Sequence, residues 1–514
     1  MVTMKKTFWG ILPMALLASC TSELAEVENN VTNDNVDKVT VRVNPFEFED
    51  GTRTLLTASD NGITFSWANY DAIGVFPVEP TTNSQAKQVL DVPTDCEDND
   101  AHYASFDGAG WGLKLGNTYA AYSPYQNLES DVTYDQVPFD LTGQDGTLAT
   151  LGTKYDYMYA PSKPYSEHIA SPSHSHEVVF DFKHAVSVIQ LKLTLPVAAD
   201  WKYVSLANRA GDKVFKWNGT LNVATGDTTC TDMRTFMMLF LNNVKTTAAN
   251  QEVTLYMSVL PTTTGDLSVY ATTTDGRVYE AGFPSKTLVA GKAYRYAAIP
   301  TFITTSGSES GHDWLNIGMP SGLKWATMNV GASSPTDYGN MFAWAETKTK
   351  EGTSGSYSFG GIKYSNNSSG TQFSKYVTDS NSGTPDGLST LQPEDDAASA
   401  NWGGSWRMFT RDEAIELYYS SVSFVATSFN NVTRNGVLVV GRNGREIFLP
   451  AAGISFYYNY YYDRDNGGNY WGSSLAEGYN GTAWFLSANP KKGTINPFVR
   501  WDRYYGMSIR PVVK

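Results

Sequence analysis

Cysteine is nearly missing from this 514-residue chain: there are three, at positions 20, 96 and 230, beside six histidines. That is too little for a disulfide framework or for His/Cys metal cages. Positive charge is short as well. Thirty-eight Lys and Arg face 52 Asp and Glu, a net charge of −14, which argues against nucleic acid as a partner, because phosphate affinity needs clustered cations. Beyond residue 311 there is one histidine, His312, and no cysteine, so Ser-His-Asp and thiol catalysis lack their parts there. Gly108-Ala109-Gly110-Trp111-Gly112 has the wrong spacing for a Walker or dinucleotide loop. Aromatics, by contrast, are abundant: 13% of the chain, with 31 Tyr and 13 Trp, residues that suit β-sheets and contact surfaces.

The length suggests about three domains at roughly 150 residues each, and charge divides the chain in two. Residues 1–310 hold 21 basic and 35 acidic side chains, while residues 311–514 hold 17 of each. At the N-terminus, Lys5-Lys6 precede an apolar run over 8–17 and then Ala18-Ser19-Cys20. The run is shorter than the ~20 residues a spanning helix needs and fits a secretory signal peptide over 1–19; Met4 would serve equally as its start. Leu17-Ala18-Ser19-Cys20 resembles the bacterial lipobox, which implies lipidation of Cys20 and anchoring in outer-membrane lipid. The alternative is an ordinary signal peptide with an incidental Cys. Residues 20–37 are polar and acidic and read as a flexible tether. Their early acids also resemble surface-export signals of Bacteroidetes lipoproteins. Cys96 and Cys230 are either a pair or two free small residues.

Alternation with period two marks strands: Val39, Val41, Val43; Ile189, Leu191, Leu193, Leu195; Val253, Leu255, Met257, Val259. Asp275-Gly276 between two such runs predicts a hairpin, since Gly accepts the positive φ of a type I′ turn. The fold class is mainly β, with sandwiches over 38–177 and 178–303. Thr52-Arg53-Thr54, Phe65-Ser66-Trp67 with Asp71-Ala72-Ile73-Gly74-Val75-Phe76, Phe180-Asp181-Phe182-Lys183-His184-Ala185 and Ala290-Gly291-Lys292-Ala293-Tyr294 together resemble the Bacteroidetes fimbrillin-like lipoproteins. The resemblance covers about 40–300. It implies two tandem β-sandwiches, a place on the cell surface or in a fimbrium (pilus), and other fimbrillin subunits as partners by donor-strand exchange, a form of β-augmentation. It also makes Arg53 the candidate protease cleavage site; an exposed loop Arg is the alternative.

Thr304-Thr305-Ser306-Gly307-Ser308-Glu309-Ser310-Gly311 reads as a linker by composition, over 304–312. Beyond it, over 313–514, the pattern is α+β. Thr410-Arg411-Asp412-Glu413 is a capping box opening a helix, and Asn443-Gly444 between apolar runs predicts a hairpin. Leu323-Lys324-Trp325-Ala326-Thr327, Phe342-Ala343-Trp344-Ala345-Glu346-Thr347, Trp402-Gly403-Gly404-Ser405-Trp406-Arg407-Met408, Leu449-Pro450-Ala451-Ala452-Gly453 and Arg510-Pro511-Val512 resemble a Bacteroidetes and Fibrobacter surface-protein domain of C-type lectin-like fold. Such domains include targets of diversity-generating retroelements.

The stretch 456–469 has little alternation or helical period, so it predicts a displayed loop, as do 477–481 and 489–502. Tyr, Asn, Gly and Ser in such loops are paratope chemistry: rigid amphipathic rings beside adaptable hydrogen bonders. The candidate ligand-binding residues are Phe456, Tyr457, Tyr458, Asn459, Tyr460, Tyr461, Asp463, Arg464, Asn466, Tyr479, Asn480, Asn496, Arg500 and Asp502, facing protein or carbohydrate. No cofactor or metal is assigned. Gln392-Pro393-Glu394-Asp395-Asp396 has oxygen donors of the kind calcium takes, but capping, or pairing with Arg407, is the plainer account. His174-Ser175-His176-Glu177 is either a metal-ligating strand face or a solvated turn. The expectation is a cell-surface adhesin without enzymatic activity, either a fimbrial tip or a stand-alone lipoprotein. A structural fimbrial subunit is the runner-up. A glycan-processing enzyme would require a carboxylate pair about 5–9 Å apart in a cleft.

Overall fold

The computed structural model describes residues 38–43, 46–48, 62–63, 73–79, 103–107, 118–129, 131–161, 177–350, 357–456 and 460–514. The described residues are mainly strand. A six-stranded sheet runs in the order Gly74–Glu79, Thr118–Ser123, Met158–Pro161, Glu177–His184, Lys38–Val43, Tyr103–Asp107. A second, of five strands, runs Glu252–Val259, Ser187–Thr194, Lys292–Ala298, Phe46–Phe48, Gly62–Ile63. Across the core from it lies a sheet of Phe236–Phe240, Ala199–Asn208, Leu267–Thr273, Val278–Phe283 and Thr301–Ile303. The alternating residues Ile189, Leu191, Leu193 and Leu195 are at most 1% exposed. Gly276 turns the predicted 267–283 hairpin at φ +83°.

Strand pairing departs from a clean division near residue 177. Phe46–Phe48 lies parallel to Lys292–Ala298, Val137–Asp140 pairs with Phe215–Leu221, and Glu177–His184 completes the first sheet. One apolar core accordingly contains Phe46, Phe76 and Tyr122 together with Leu191, Val204 and Val269. Alternation fixes which face of a strand is buried, but not which distant strand lies beside it.

The expected linker is a second departure. Ser306–Glu309 is a strand paired with His312–Leu315, closed by the two residues Ser310 and Gly311. Their φ values of +49° and +81° suit a type I′ turn. Gly307 is required because a Cβ there would come 2.4 Å from the Trp314 ring. The Ser/Gly composition thus serves a tight hairpin. That hairpin continues through Lys324–Ala326 to the C-terminal strand Pro511–Val513 and then Arg407–Met408.

The C-terminal unit adds a sheet in the order Met341–Phe342, Met507–Ser508, Gly468–Leu475, Thr482–Asn489, Thr494–Asp502, and a three-stranded sheet, Ser421–Phe429, Val432–Gly441, Glu446–Pro450. Helix Arg411–Tyr419 opens on the predicted capping box of Thr410 and Glu413, a device that contributes about 1 kcal/mol. Trp325, Trp344, Trp406 and Trp471 are each at most 2% exposed. Three of these indoles donate to backbone carbonyls: Trp344 to Gly472 (2.9 Å), Trp406 to Glu309 (2.8 Å) and Trp471 to Phe342 (3.1 Å). Arg510, fully buried, donates to Asn329 Oδ1 and to the Phe448 carbonyl; burial pulls its pKa down to about 10, so it stays charged at neutral pH.

This unit packs against the sheet of Phe236–Phe240, Ala199–Asn208 and Leu267–Thr273, within the part expected as the second sandwich. Val440 belongs to the sandwich's core, with Val422 and Leu438 packed against it. Arg442, 4% exposed, donates Nη1 to the Asn208 carbonyl (2.6 Å) and Nε to that of Gly318, while its own carbonyl accepts from Ser205 Oγ. Thr272 Oγ1 donates to the Asn443 carbonyl, and Lys202 Nζ and Tyr203 OH converge on Glu446 Oε1 at 2.7 and 2.8 Å. At the far side Arg234 donates to the Tyr418 carbonyl and lies over the Tyr418 ring at 4.3 Å.

Candidate functional site

The stretch expected as a loop at 456–469 begins as a hairpin. Ile454–Phe456 pairs with Tyr460–Tyr462, and Ser455 is tied to Gly506 by reciprocal backbone bonds of 2.8 and 2.7 Å. Tyr457, Tyr458 and Asn459 lie outside the described residues, and of Tyr460 only the backbone is described. Register places Phe456 and Tyr462 on one face and Tyr461 on the other. Phe456 approaches Tyr462 and Tyr505 with centroids 6.2 and 6.1 Å away; Tyr505 in turn meets Trp501 at 4.9 Å and Tyr504 at 4.4 Å. Tyr462 is 56% exposed and Trp501 38%. This makes an aromatic strip open to solvent at two points.

On the hairpin's other face, the Arg464 guanidinium lies 3.7 Å over the Tyr461 ring and 4.8 Å from that of Tyr338. Tyr338 donates to Asp465 and carries Arg434 at 4.2 Å. Asp463 and Asp465 adopt φ of +62° and +68°. The Asp463 carbonyl accepts from the backbone of Asn466 and Gly467, which leaves the Asn466 side chain exposed at the turn.

Residues 494–502 are a strand rather than a loop, at the edge of the sheet. A sequence of Asn, Pro and charge conceals it, because an edge strand tolerates Pro497 where a central one would not. Asn496 is exposed and its Oδ1 accepts from the Phe498 amide (2.9 Å). Arg500, directly opposite Trp484, lies 3.7 Å over the ring of Tyr479, which is 54% exposed. Arg411 covers Trp484 at 4.0 Å. Asp502 is half-buried opposite Thr482, and burial raises its pKa.

Asn480 departs from the expected contact face. It is 2% exposed, its Oδ1 accepts from Thr378 N and Oγ1 (3.0 and 2.7 Å), and its Nδ2 donates to Asp379. It braces the 378–379 loop. Tyr462, Trp501, Phe498, Trp484 and Tyr338 join the two surfaces although the sequence pattern did not single them out. The signal that could have found them is the period-two register of the flanking strands.

The acidic run at 392–396 is divided: Glu394 is exposed, while Asp395 is buried beneath two partly exposed lysines. Asp395 has a fully buried side chain and accepts from Lys363 Nζ, Lys375 Nζ, Tyr364 OH and Tyr376 OH at 2.6–2.7 Å. Burial alone would raise its pKa, but these four donors hold it well below the usual carboxylate range. Both oxygens are thereby engaged by protein donors. Asp396 caps helix Ala397–Trp402 through Ser399 N and also accepts from Met408 N. Arg407 pairs with Glu413 rather than with this run. No group of three or more potential metal ligands lies together among the described residues. Cys20, Arg53, Cys96 and the 174–176 histidines fall outside the described residues; Cys230 is a free thiol.

Two cavities flank the interdomain joint. One, of about 460 Å³, is lined by Trp217, Met237 and Phe240 of the sandwich and by Tyr418, Phe424 and Ile495 of the C-terminal unit. The other, of about 320 Å³, lies between Thr272–Thr274 and Arg445–Phe448. No helix among the described residues is long and apolar enough to cross a membrane.

A mainly β chain with solvent-exposed aromatic side chains is the class these features define. The chain belongs to the fimbrillin-like family: residues 52–311 match that family's model. Members of this family are cell-surface or fimbrial adhesins that associate with other fimbrial subunits. No curated protein matches the chain. Among solved structures it is similar to a candidate cell adhesion protein from Bacteroides ovatus (18% identity, 52% of this chain and 96% of that one, TM-score 0.34). It is also similar to the tip fimbrial protein Mfa3 from Porphyromonas gingivalis with C-terminal truncation (13%, 51% and 94%, 0.27), and to a fimbrial protein from Bacteroides ovatus (12%, 94% and 99%, 0.22). The family assignment rests on the matched segment.

Proposed function

We propose that this protein is a cell-surface adhesin whose fimbrillin-like part is a stalk and whose C-terminal unit, a C-type lectin-like domain, presents a Tyr/Asn-rich face to protein or glycan ligands. One observation carries the reading. Among the described residues, the exposed aromatics Tyr462 and Trp501 share one surface of the C-terminal unit and Tyr479 and Phe498 lie nearby on another, while exposed Phe424 sits at the joint and Phe302 elsewhere. Exposed rings cost solvation unless a partner covers them, and clusters of them mark interaction sites. The docked joint supports the same reading, because an adhesive face needs a fixed orientation on its stalk. Retroelement-driven diversification of the 456–469 stretch belongs to this proposal, as does lipidation at Cys20.

Two fates follow for the N-terminus. Cleavage after Arg53 would release the tether and allow donor-strand exchange with other fimbrillins, with the C-terminal unit capping a fimbrium. Retention of Cys20 would leave a stand-alone outer-membrane lipoprotein. Mass spectrometry of protein isolated from its own cells separates them: acylated Cys20 as first residue means an anchored adhesin, and Thr54 as first residue means proteolytic maturation. The adhesin reading itself is tested by ligand capture on protein and glycan arrays. A full chain that captures nothing on either would leave a structural fimbrial subunit.

A further inference from the structure

Helix Arg411–Tyr419 and the edge strand Thr494–Asp502 share a ridge on which cations and rings alternate. Arg411 lies 4.0 Å over Trp484, Arg500 stands directly across from Trp484, and the Arg500 guanidinium lies 3.7 Å over Tyr479. Two residues before Arg500, Phe498 packs edge-on against Tyr418 of the helix at 5.7 Å and is 47% exposed. Consecutive strand residues face opposite ways, so Arg500 and the strip residue Trp501 belong to different faces. The ridge is therefore a second surface.

Neither guanidinium has a carboxylate within salt-bridge distance among the described residues, unlike Arg407, Arg234 and Arg277, which do. The Arg411 Nε is buried, as are those of Arg434, Arg445, Arg464 and Arg503, so the terminal Nη groups are the donors Arg411 can offer a ligand. Stacking on a ring occupies the flat face of a guanidinium and fixes its plane. Its N–H donors then lie in that plane, oriented for bidentate contact with an oxyanion. The nearby acids, Asp412, Glu477 and Asp502, form no ion pair with either Arg.

We infer that this ridge binds a sulfated glycan chain, with Arg411 and Arg500 taking sulfate oxygens and the exposed Phe498 ring lying against a sugar C–H face. A glycan is favoured over an acidic peptide because cations and exposed rings alternate along an open surface, which matches a polymer with a charged edge and an apolar face at each unit. The net charge of −14 and the even balance over 311–514 supply no general attraction for a polyanion, so the contact rests on these two guanidiniums and the rings beside them. The inference rests on the reading of that unit as the ligand-presenting end.

The test is surface binding of the full chain to immobilised heparin oligosaccharide and to its desulfated counterpart, at low and physiological salt. The sulfated probe should bind at least tenfold more tightly than the desulfated one, and its advantage should shrink as salt screens the contact. Arg500→Gln, an exposed position, and the double variant Arg411→Gln/Arg500→Gln should each lose tenfold or more. Lys245→Gln, on the second sandwich, should bind as the parent does. Equal binding of the two probes, unchanged binding by the Arg500→Gln variant, or an equal loss with Lys245→Gln would overturn the inference. Absence of any preference for the sulfated probe, with a neutral glycan or an acidic protein captured through Tyr462 and Trp501 and indifferent to the Arg variants, would overturn it while leaving the adhesin reading intact.

Discussion

Arg442 is the side chain through which the C-terminal unit and the second sandwich most directly depend on each other. Its guanidinium, 4% exposed, reaches the carbonyls of Asn208 and Gly318. Arg442→Ala strands both carbonyls away from water and opens space beneath the 441–445 turn. Each buried acceptor left unmet costs about 1–3 kcal/mol. Part of that is offset, because the variant no longer buries a cation; this burial is what lowers the Arg442 pKa. The net expectation is a loss of roughly 2–4 kcal/mol. At about 2–4 °C per kcal/mol for a domain of some 200 residues, the joint's melting temperature falls by about 4–16 °C. Differential scanning calorimetry reads this directly: the second sandwich and the C-terminal unit of the parent melt together, and in Arg442→Ala the C-terminal unit separates as an earlier transition. Arg442→Lys, which keeps charge but loses the fork, should fall between. Two separate transitions in the parent, or a variant melting within a degree of it, would refute the joint.

Asp395→Asn should destabilise the C-terminal unit by about 1–3 kcal/mol, since it weakens four hydrogen bonds to a buried carboxylate whose lysine partners are partly exposed. The same network sets a pH dependence. The folded pKa of Asp395 is depressed, so its contribution is complete above the ordinary carboxylate range and is lost as pH falls toward the folded value. A urea midpoint measured between pH 6 and 3 should therefore fall more steeply for the parent than for the Asn variant. Asn480→Ala should lower stability by about 1–3 kcal/mol through its unmet partners Thr378 and Asp379, while ligand capture per folded molecule stays constant. Gly444→Ala meets Thr272 Oγ1 at 2.4 Å, at a φ of +78°. It should cost about 1–3 kcal/mol by overpacking and lower the same calorimetric transition as Arg442→Ala.

Elements whose information is local were legible from the chain. The Asp275-Gly276 and Asn443-Gly444 hairpins and the Thr410–Glu413 capping box stand where the residues put them, because turn and cap chemistry is decided within four or five residues. Elements decided by a distant partner were not. Ser306–Glu309 resembles a linker until Trp314 lies over Gly307. Phe46–Phe48 follows its sequence neighbours until it joins Lys292–Ala298. Arg442, in a Gly-Arg-Asn-Gly turn, has every mark of an exposed charge and is an interior pin. The candidate surface divides in the same way. The composition of 456–469 suggested a displayed loop, where Ile454–Phe456 in fact pairs with Tyr460–Tyr462. The outward register of Tyr462 and Trp501 and the inward one of Asn480 depend on pairings up to a hundred residues away.

The most direct test of the central claim is ligand capture by the full chain and by the Tyr462→Ser/Trp501→Ser double variant on one array of host proteins and glycans. Both rings are partly exposed but pack on Phe456 and Tyr505, so the variant should melt a few degrees below the parent and is compared at a temperature where both are folded. The account predicts a discrete set of ligands for the parent and at least a tenfold loss for the variant across that set. Retention of the whole set by a folded variant would contradict the claim that this aromatic face is the adhesive one.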